Sequence, residues 1–490
     1  MSDKILSNIY IQEDGLNLDM LLVSPSLDWK YSFEQKMAMR IDKSQPNQET
    51  PNVGCAYIIA KTKSVGLRVK YVDMVTSHYS VEELVEYAKR TKPSIVGFSC
   101  FTIQVKSAAT IAAKIKEVCP DTLICIGGPH AIAIPVQCLN EFPSFDFIVT
   151  GEAENIIIEI IESAGNIDLL SKIPGVVTRK NKTSFIPAQF IQDLGTLPYP
   201  AWEEYDLSKY PGTYPHRTKL ELPMVSGRGC PYSCTFCCKA LGSRMRRRTW
   251  DNIMGEIERN VEEFGCESIA FLDETFVLSQ KQAYEFCNEM IRRDLHKKVT
   301  WSCSMRVSGN SQELFHVMRK AGCYYIFFGL ESANEETLKR IRKAIKIKQM
   351  VQTVDWVKQA GIIPVGAFII GLEGTDELEV YEAIELGKKL DLYSITFPIA
   401  VPFPGTQLRN LAQAGKYGLR ILSDDWDLYG KQDPGVMDTE MFSHERRKEL
   451  QKIAYSHFPK KKITNYLNLL KSYIPISEIE ARAAVNFVSK

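Results

Sequence analysis

No run of this 490-residue chain approaches the roughly 20 consecutive apolar residues that a bilayer-spanning helix needs, so no transmembrane segment is expected. Net charge is nearly absent as well: 60 basic side chains face 59 acidic ones, a formal +1. Such a balance gives no overall field to draw in a polyanion, and nucleic acid is not expected as a partner. The amino terminus, with Asp3, Lys4, Glu13 and Asp14, lacks a secretion signal. A cytoplasmic location is therefore expected, where reducing conditions keep thiols free and the thirteen cysteines are not a disulfide framework. The chain also lacks internal repeats and low-complexity tracts.

What it does contain is two series of alternating strand and helix patterns. Its length corresponds to about three domains at roughly 150 residues each. In the first series, Met20–Pro25, Arg68–Asp73, Ser94–Cys100, Thr122–Ile126 and Phe145–Thr150 read as strands, with helical patterns such as Val81–Thr91 and Val105–Val118 between them. Five βα units predict a doubly wound domain over 18–165, preceded by an extension, 1–17. The second series runs through Leu222–Ser226, Ser268–Leu272, Thr300–Cys303, Tyr325–Leu330, Pro364–Ile370 and Tyr393–Ala400. Six such units predict a partial (β/α)6 barrel over 216–420, so the fold class is α/β. Between the two, 166–215 is rich in proline and aromatics, and reads as an ordered crossing because flexible linkers are Gly/Ser-rich. The tail, 421–490, reads as helical, with Ser443–His457 as its clearest helix. The long polar stretch Ser26–Pro51 holds Trp29, Tyr31 and Phe33 and reads either as a cover for a ligand or as a surface excursion.

Chemistry concentrates in the segment Gly227-Arg-Gly-Cys230-Pro-Tyr-Ser-Cys234-Thr-Phe-Cys237-Cys238. Three cysteines at CxxxCxxC spacing on one short loop offer three thiolates, one fewer than an iron–sulfur cluster usually takes, which leaves one iron open to a substrate. A structural zinc ion is the competing occupant, but it asks for four ligands arranged as two close pairs, and no second CxxC pair or Cys/His knuckle follows. Cys238 reads as a small buried apolar residue. The preceding strand and the following helix, Trp250–Phe264, put the loop at the carboxyl end of a strand, where α/β barrels place their chemistry.

This loop resembles the signature of the radical S-adenosylmethionine (SAM) enzymes, and landmarks at later strand ends are similar to theirs. The resemblance implies a four-iron four-sulfur cluster on Cys230, Cys234 and Cys237 and SAM bound beside it. Glu331 and Ser332 would contact the ribose or amino group of SAM, Arg306 its carboxylate, and the Gly366 to Gly371 and Gly374 strand and turn its adenine. Asp273 and Glu274, in Phe271-Leu-Asp-Glu-Thr-Phe276, are candidates to position substrate or take a proton, with helix capping as the plainer role. Cys303 is a candidate to donate hydrogen or trap radicals if it faces the cavity, against the ordinary role of a buried small hydrophobe. Arg244, Arg246, Arg247 and Arg248 read as a solvated basic run, with a phosphate-bearing ligand as the alternative.

The first half resembles the cobalamin-binding domain found upstream of one class of radical SAM enzymes. The segments Gly127-Gly128-Pro129-His130-Ala131 and Thr150-Gly151-Glu152-Ala153-Glu154 carry the likeness, with Ser99 at a neighbouring strand end. Ser99, Gly127, Gly128, His130, Gly151 and Glu152 are thus candidate cobalamin contacts. The DxHxxG motif of many cobalamin domains is missing, since the sole Asp-x-His, Asp294 to His296, has no such glycine. His130 would touch the corrin or its tail, or else cap a loop beside two glycines.

The resemblance implies reductive cleavage of SAM to a 5′-deoxyadenosyl radical and, with cobalamin, methylation of an unactivated carbon or phosphorus in a small-molecule, lipid or tetrapyrrole substrate. A one-electron donor such as flavodoxin or ferredoxin is implied. Oxidative cyclisation, dehydration or carbon–carbon bond formation would use the same parts without methyl transfer. A methylthiotransferase would need three upstream cluster cysteines, whereas Cys55, Cys100, Cys119, Cys125 and Cys138 are scattered. A non-catalytic cobalamin sensor would need no open iron.

Overall fold

The computed structural model describes residues 17–25, 50–74, 79–210, 218–430 and 435–459. Most of the Ser26–Pro51 stretch and the chain beyond 459 lie outside the described residues. Two compact units result. The first is built from residues 17–25, the described residues of Gly54–Phe190 and Leu197–Tyr205, the second from residues 50–53, Ile191–Thr196 and the described residues from Asp206 onward.

In the first unit β1 (Met20–Ser24), β2 (Val69–Asp73), β3 (Ile95–Ser99), β4 (Leu123–Gly127) and β5 (Phe147–Val149) pair in parallel in the order β2-β1-β3-β4-β5, and β6 (Val176–Thr178) closes the edge antiparallel to β5. Runs such as Met-Leu-Leu-Val-Ser in β1 are buried throughout, as expected of strands covered on both faces. Helices α1 (Val53–Lys63), α2 (Val81–Thr91) and α3 (Val105–Val118) supply the cover. Local chemistry sets their ends: Ser80 and Glu83 form a reciprocal capping box at the start of α2, and Lys92 ends it in the left-handed conformation. The strand order reverses between β1 and β3, and at such a switch point the carboxyl ends of doubly wound sheets receive their ligands. Residues 197–205 belong to this unit, with Trp202 fully buried and the Tyr205 ring tilted against Tyr71 at 4.7 Å between centroids.

The second unit begins with β7 (Glu221–Met224), followed by the two-residue strands β8 (Gly227–Arg228) and β9 (Arg246–Arg247). Then β10 (Ser268–Phe271), β11 (Thr300–Met305), β12 (Cys323–Glu331), β13 (Ile363–Phe368) and β14 (Ser394–Thr396) pair in parallel with β7, strictly in chain order. Helices α4 (Trp250–Phe264), α5 (Gln280–Arg292), α6 (Gln312–Lys320), α7 (Ile347–Gln359) and α8 (Glu377–Leu390) fall between these strands and after β13. Six parallel strands with sequential neighbours and two free edges make the partial barrel. An aromatic cluster of Phe271, Phe276, Phe286 and Trp301, with Phe286 5.0 Å from Trp301, locks β10 and β11 against α5. Beyond the barrel, β15 (Leu419–Ile421) and β16 (Met437–Thr439) form a hairpin-like pair, and α9 (His444–Ser456) follows, capped by Ser443.

Candidate active site

The cysteine loop leaves β7 and is pinched at its base by the antiparallel pairing of β8 with β9. Closure at that base depends on Gly229, whose φ is +87°; a Cβ there would lie 2.3 Å from the Arg244 carbonyl oxygen, a contact no side chain survives. Inside the loop the Cys237 N–H donates to the Cys234 carbonyl at 3.2 Å, and the Cys230 N–H to the Gly242 carbonyl at 3.2 Å. Cys237 is exposed as a whole residue, yet desolvation of its thiol within the loop pushes it up to about 11, with Cys234, Cys230 and Cys238 adding to the effect. Among the described residues no three His, Cys, Asp or Glu side chains converge closely enough to hold a single metal ion. Three thiols on one loop would suit a cluster, in which each sulfur takes a different iron.

Two carboxylates brace this loop from β10. Asp273 is buried and accepts from the Ser226 hydroxyl at 2.8 Å, the Ser226 N–H at 3.2 Å and the Gly227 N–H at 2.6 Å. Burial pushes its carboxyl up to about 6, opposed by Arg247 and these hydrogen bonds. Glu274 accepts from the Gly229 N–H. The structure thus gives both residues of the pair a backbone-holding role at the foot of the loop.

Within the arginine run Arg246 and Arg248 are buried and Arg247 is half-buried, which corrects the sequence reading at those positions, while Arg244 is exposed as expected. Arg246 donates to the carbonyls of Ile191 and Leu241 at 2.7 and 2.9 Å. Arg247 donates to the Ser226 hydroxyl at 2.7 Å and lies 5.0 Å from the Trp250 ring. Arg248 pairs with Glu256, both side chains at most 3 % exposed. Backbone carbonyls around the loop, invisible in a one-dimensional pattern, are what satisfy these cations.

At the carboxyl ends of β12 and β13 lies a cleft lined by Glu331, Ser332, Phe368, Ile370, Gly371 and Glu379, among others. Glu331 is a non-glycine residue at φ +67°, a conformation that costs about 1–3 kcal/mol and that tends to collect at functional sites. A register shift against β13 accompanies it, and its carboxylate forms a buried ion pair with Lys343 at 2.7 Å. Ser332 donates to Glu379 at 3.2 Å, and burial pushes the Glu379 carboxyl up. The turn after β13 joins this cleft to the cysteine loop: Glu373, fully buried, accepts from the Thr235 hydroxyl.

The radical SAM superfamily model matches residues 224–387, and the B12 binding domain model matches residues 39–161. An uncharacterized methyltransferase of Pyrococcus horikoshii is 30% identical over 412 residues, which cover 83% of this chain and 87% of the relative. The chain belongs to the radical SAM enzymes that carry a B12-binding domain. An anaerobic magnesium-protoporphyrin IX monomethyl ester cyclase of Rubrivivax gelatinosus is 28% identical over 369 residues, and the match spans 73% of this chain and 65% of the cyclase. The structure of the radical SAM methyltransferase TsrM from Kitasatospora setae, with cobalamin and a 4Fe-4S cluster bound, superposes with a TM-score of 0.68 over 91% of this chain and 89% of that one; at 16% identity this establishes the shared fold.

For this radical SAM enzyme the structure brings some expected residues together and disperses others. Glu331, Ser332 and Gly371 share the cleft. Arg306 stacks 3.7 Å above the ring of Tyr232 in the cysteine loop and donates to the Lys343 carbonyl. Gly366 is elsewhere: a Cβ on it would meet Leu330 at 2.9 Å and Leu392 at 3.0 Å, so its missing side chain serves packing rather than an adenine face. Cys303 shares a strand face with Trp301, which packs on Phe286 of α5, and its thiol hydrogen-bonds with Cys323 and lies near Cys287 of the same helix. That places it on the helix-covered side of the sheet, in the ordinary role of a buried small hydrophobe and not as a cavity-facing thiol.

In the B12-binding unit Ser99 and Ser24 end the strands beside the switch point, and both hydrogen-bond with the buried Cys55 thiol of α1. Gly127 and Gly128 end β4; a Cβ on Gly128 would lie 2.5 Å from the Cys100 carbonyl oxygen, so that glycine answers to the neighbouring backbone. His130, in the short helix Pro129–Ala133, is 1% exposed, which places its imidazole in the packing rather than at an open face. Gly151 abuts Ala188, and Glu152 is buried. Sequence reasoning missed Lys343, Glu379 and Arg447, because none lies in a spaced motif; Glu373 stands inside the Gly371-Leu-Glu373-Gly374 turn, but its own role gave no signal.

Proposed function

We propose that this radical SAM enzyme is a cobalamin-dependent methyltransferase acting on an unactivated carbon, or a phosphinate phosphorus, of a small-molecule, lipid or tetrapyrrole substrate. The observation that carries the reading is the braced CxxxCxxC loop tied through Thr235 and Glu373 to the turn bordering the Glu331–Gly371 cleft, in a chain whose other unit matches the B12 binding domain. The methyltransferase names of the P. horikoshii relative and of TsrM support it. When bound, the cluster supplies the electron that splits a carbon–sulfur bond of SAM, and cobalamin carries the methyl group. Cys230, Cys234 and Cys237 would hold the cluster. Glu331 and Ser332 would orient the polar groups of SAM, the backbone of the Gly371 turn would border its adenine, and Arg306 would receive its carboxylate. Holding reactants in that geometry and excluding water are what the chain itself contributes to the rate.

Oxidative cyclisation is the second reading, favoured by the 28% identity to the anaerobic cyclase. Anaerobic reconstitution with iron, sulfide and cobalamin, followed by SAM turnover under a one-electron reductant, separates the two. S-adenosylhomocysteine beside 5′-deoxyadenosine supports methyl transfer. Deoxyadenosine alone, with no corrinoid retained, supports cyclisation, and neither product refutes both.

A further inference from the structure

The region beyond the matched residues 224–387 carries a side chain that reaches the cleft turn. Gly371 lines the cleft with φ +81°, and a Cβ built on it would lie 2.6 Å from Nη1, 2.7 Å from Cζ and 2.8 Å from Nε of Arg447. Three near-equal distances mean that the guanidinium lies face-on against the bare α-carbon. From its far side that guanidinium is fixed by the Phe442 and Met437 carbonyls, each at 3.1 Å, and by the Phe442 ring at 5.0 Å. Arg447 is 0% exposed, and its Nη2 has no hydrogen-bond partner among the described residues. Leaving a buried charged donor unmatched is costly, so the contact it makes with the turn is not bought by surface solvation.

Neighbouring contacts repeat the pattern. Arg446 donates to Glu377 at 2.9 Å, at the first residue of α8, whose opening turn lines the cleft through Glu379. On the other flank Arg340 donates to the Glu373 carbonyl at 3.0 Å, and a Cβ on Gly374 would lie 2.8 Å from its Nη1. The turn from Gly371 to Gly374 is thus held between two guanidinium groups, one from α9 and one from the helix Glu335–Arg340.

We infer that Arg447 is a positioning residue for SAM, holding the Gly371 turn at the height at which the nucleoside end of SAM fits the cleft, and that α9 is therefore part of the SAM site. The inference rests on the reading of the cleft as the SAM site. Arg447→Met keeps the bulk and removes the fork; Gly371→Ala pushes on the same contact from the other side. SAM binding is measured by equilibrium dialysis on the anaerobically reconstituted full chain, with iron and sulfide content determined on the same samples. Both variants are expected to keep wild-type iron and sulfide while SAM binding weakens by about tenfold or more, the scale on which one well-placed contact acts. Because the two substitutions break one contact, the double variant is expected to be no worse than the weaker single one.

Wild-type affinity in Arg447→Met, or loss of iron in parallel with SAM, overturns the inference while leaving the SAM site standing. Should Arg447→Met fail to fold, Arg447→Lys, which keeps the charge and removes the planar fork, decides by the same criteria. A wild-type chain that holds its cluster and binds no SAM overturns the cleft assignment and this inference together.

Discussion

The Thr235 hydroxyl donates to Oε1 of Glu373 at 2.5 Å, joining residues 138 positions apart. Thr235 stands between the second and third cysteines of the loop, and Glu373 is the third residue of the turn that opens at Gly371. One hydrogen bond therefore ties the cluster loop to the turn bordering the cleft, and Glu373 has no exposed surface from which water could replace it.

Replacing Thr235 with valine keeps the shape and strands that carboxylate, a loss of about 1–3 kcal/mol for a buried group left without its donor. The apo chain is expected to melt several degrees lower, and the reconstituted variant to retain less iron through gel filtration. An unchanged Tm together with full iron retention would mean that the contact holds nothing in place.

Asp273 makes a pH-dependent contribution whose sign follows from its raised carboxyl. Its folded value of about 6 exceeds the ordinary 3.8, so between those values the folded chain binds more protons than the unfolded one. Its contribution to stability is full below about pH 4 and is lost as pH rises to about 6, on the order of 3 kcal/mol in total. Denaturant unfolding of wild type and Asp273→Asn at both ends of that window tests it. The stability of wild type relative to the variant is expected to fall as pH rises, and parallel profiles would count against the assignment.

The buried Arg248–Glu256 pair is expected to show strong coupling. Removing either partner alone leaves an uncompensated charge in a site at most 3% exposed, at a cost of roughly 3–5 kcal/mol. Arg248→Met with Glu256→Met together is expected to cost less than the sum of the two. A double-mutant cycle by chemical denaturation reads the difference; strict additivity would show that the pair does not act as a pair.

Cys303, packed between β11 and α5, is expected to be dispensable for chemistry. Cys303→Ala leaves a small void, about 1 kcal/mol or less of stability after partial relaxation. Reconstituted enzyme carrying it is expected to form 5′-deoxyadenosine at the wild-type rate. Loss of turnover at unchanged iron content would restore the thiol to the cavity.

Local patterns carried much of this architecture. The helices Val81–Thr91, Val105–Val118 and Trp250–Phe264 were legible to the residue, and all five strands of the first series and six of the second were found within a few residues. β6 escaped because three residues at an antiparallel edge make no periodic signal. The arginines at 246–248 were misread because exposure is the default for an isolated cation, and their acceptors include the carbonyls of Ile191 and Val225, which belong to other segments. Gly366 was assigned to adenine by its place in a motif, whereas its packing against Leu330 and Leu392 depends on how β13 meets its neighbours.

By itself, then, the amino-acid order determined which segments become strands or helices and that three thiols share one loop, since periodicity, capping and close spacing act over a few residues. Tertiary structure alone decided that Glu373 reaches Thr235, that Asp273 holds Ser226 and Gly227, that Cys303 turns toward a helix, and that Arg447 rests on Gly371. Those partners lie well beyond one helical turn or strand repeat from each other along the chain, and only packing of the second unit brings such groups within the few ångströms over which hydrogen bonds and guanidinium contacts operate.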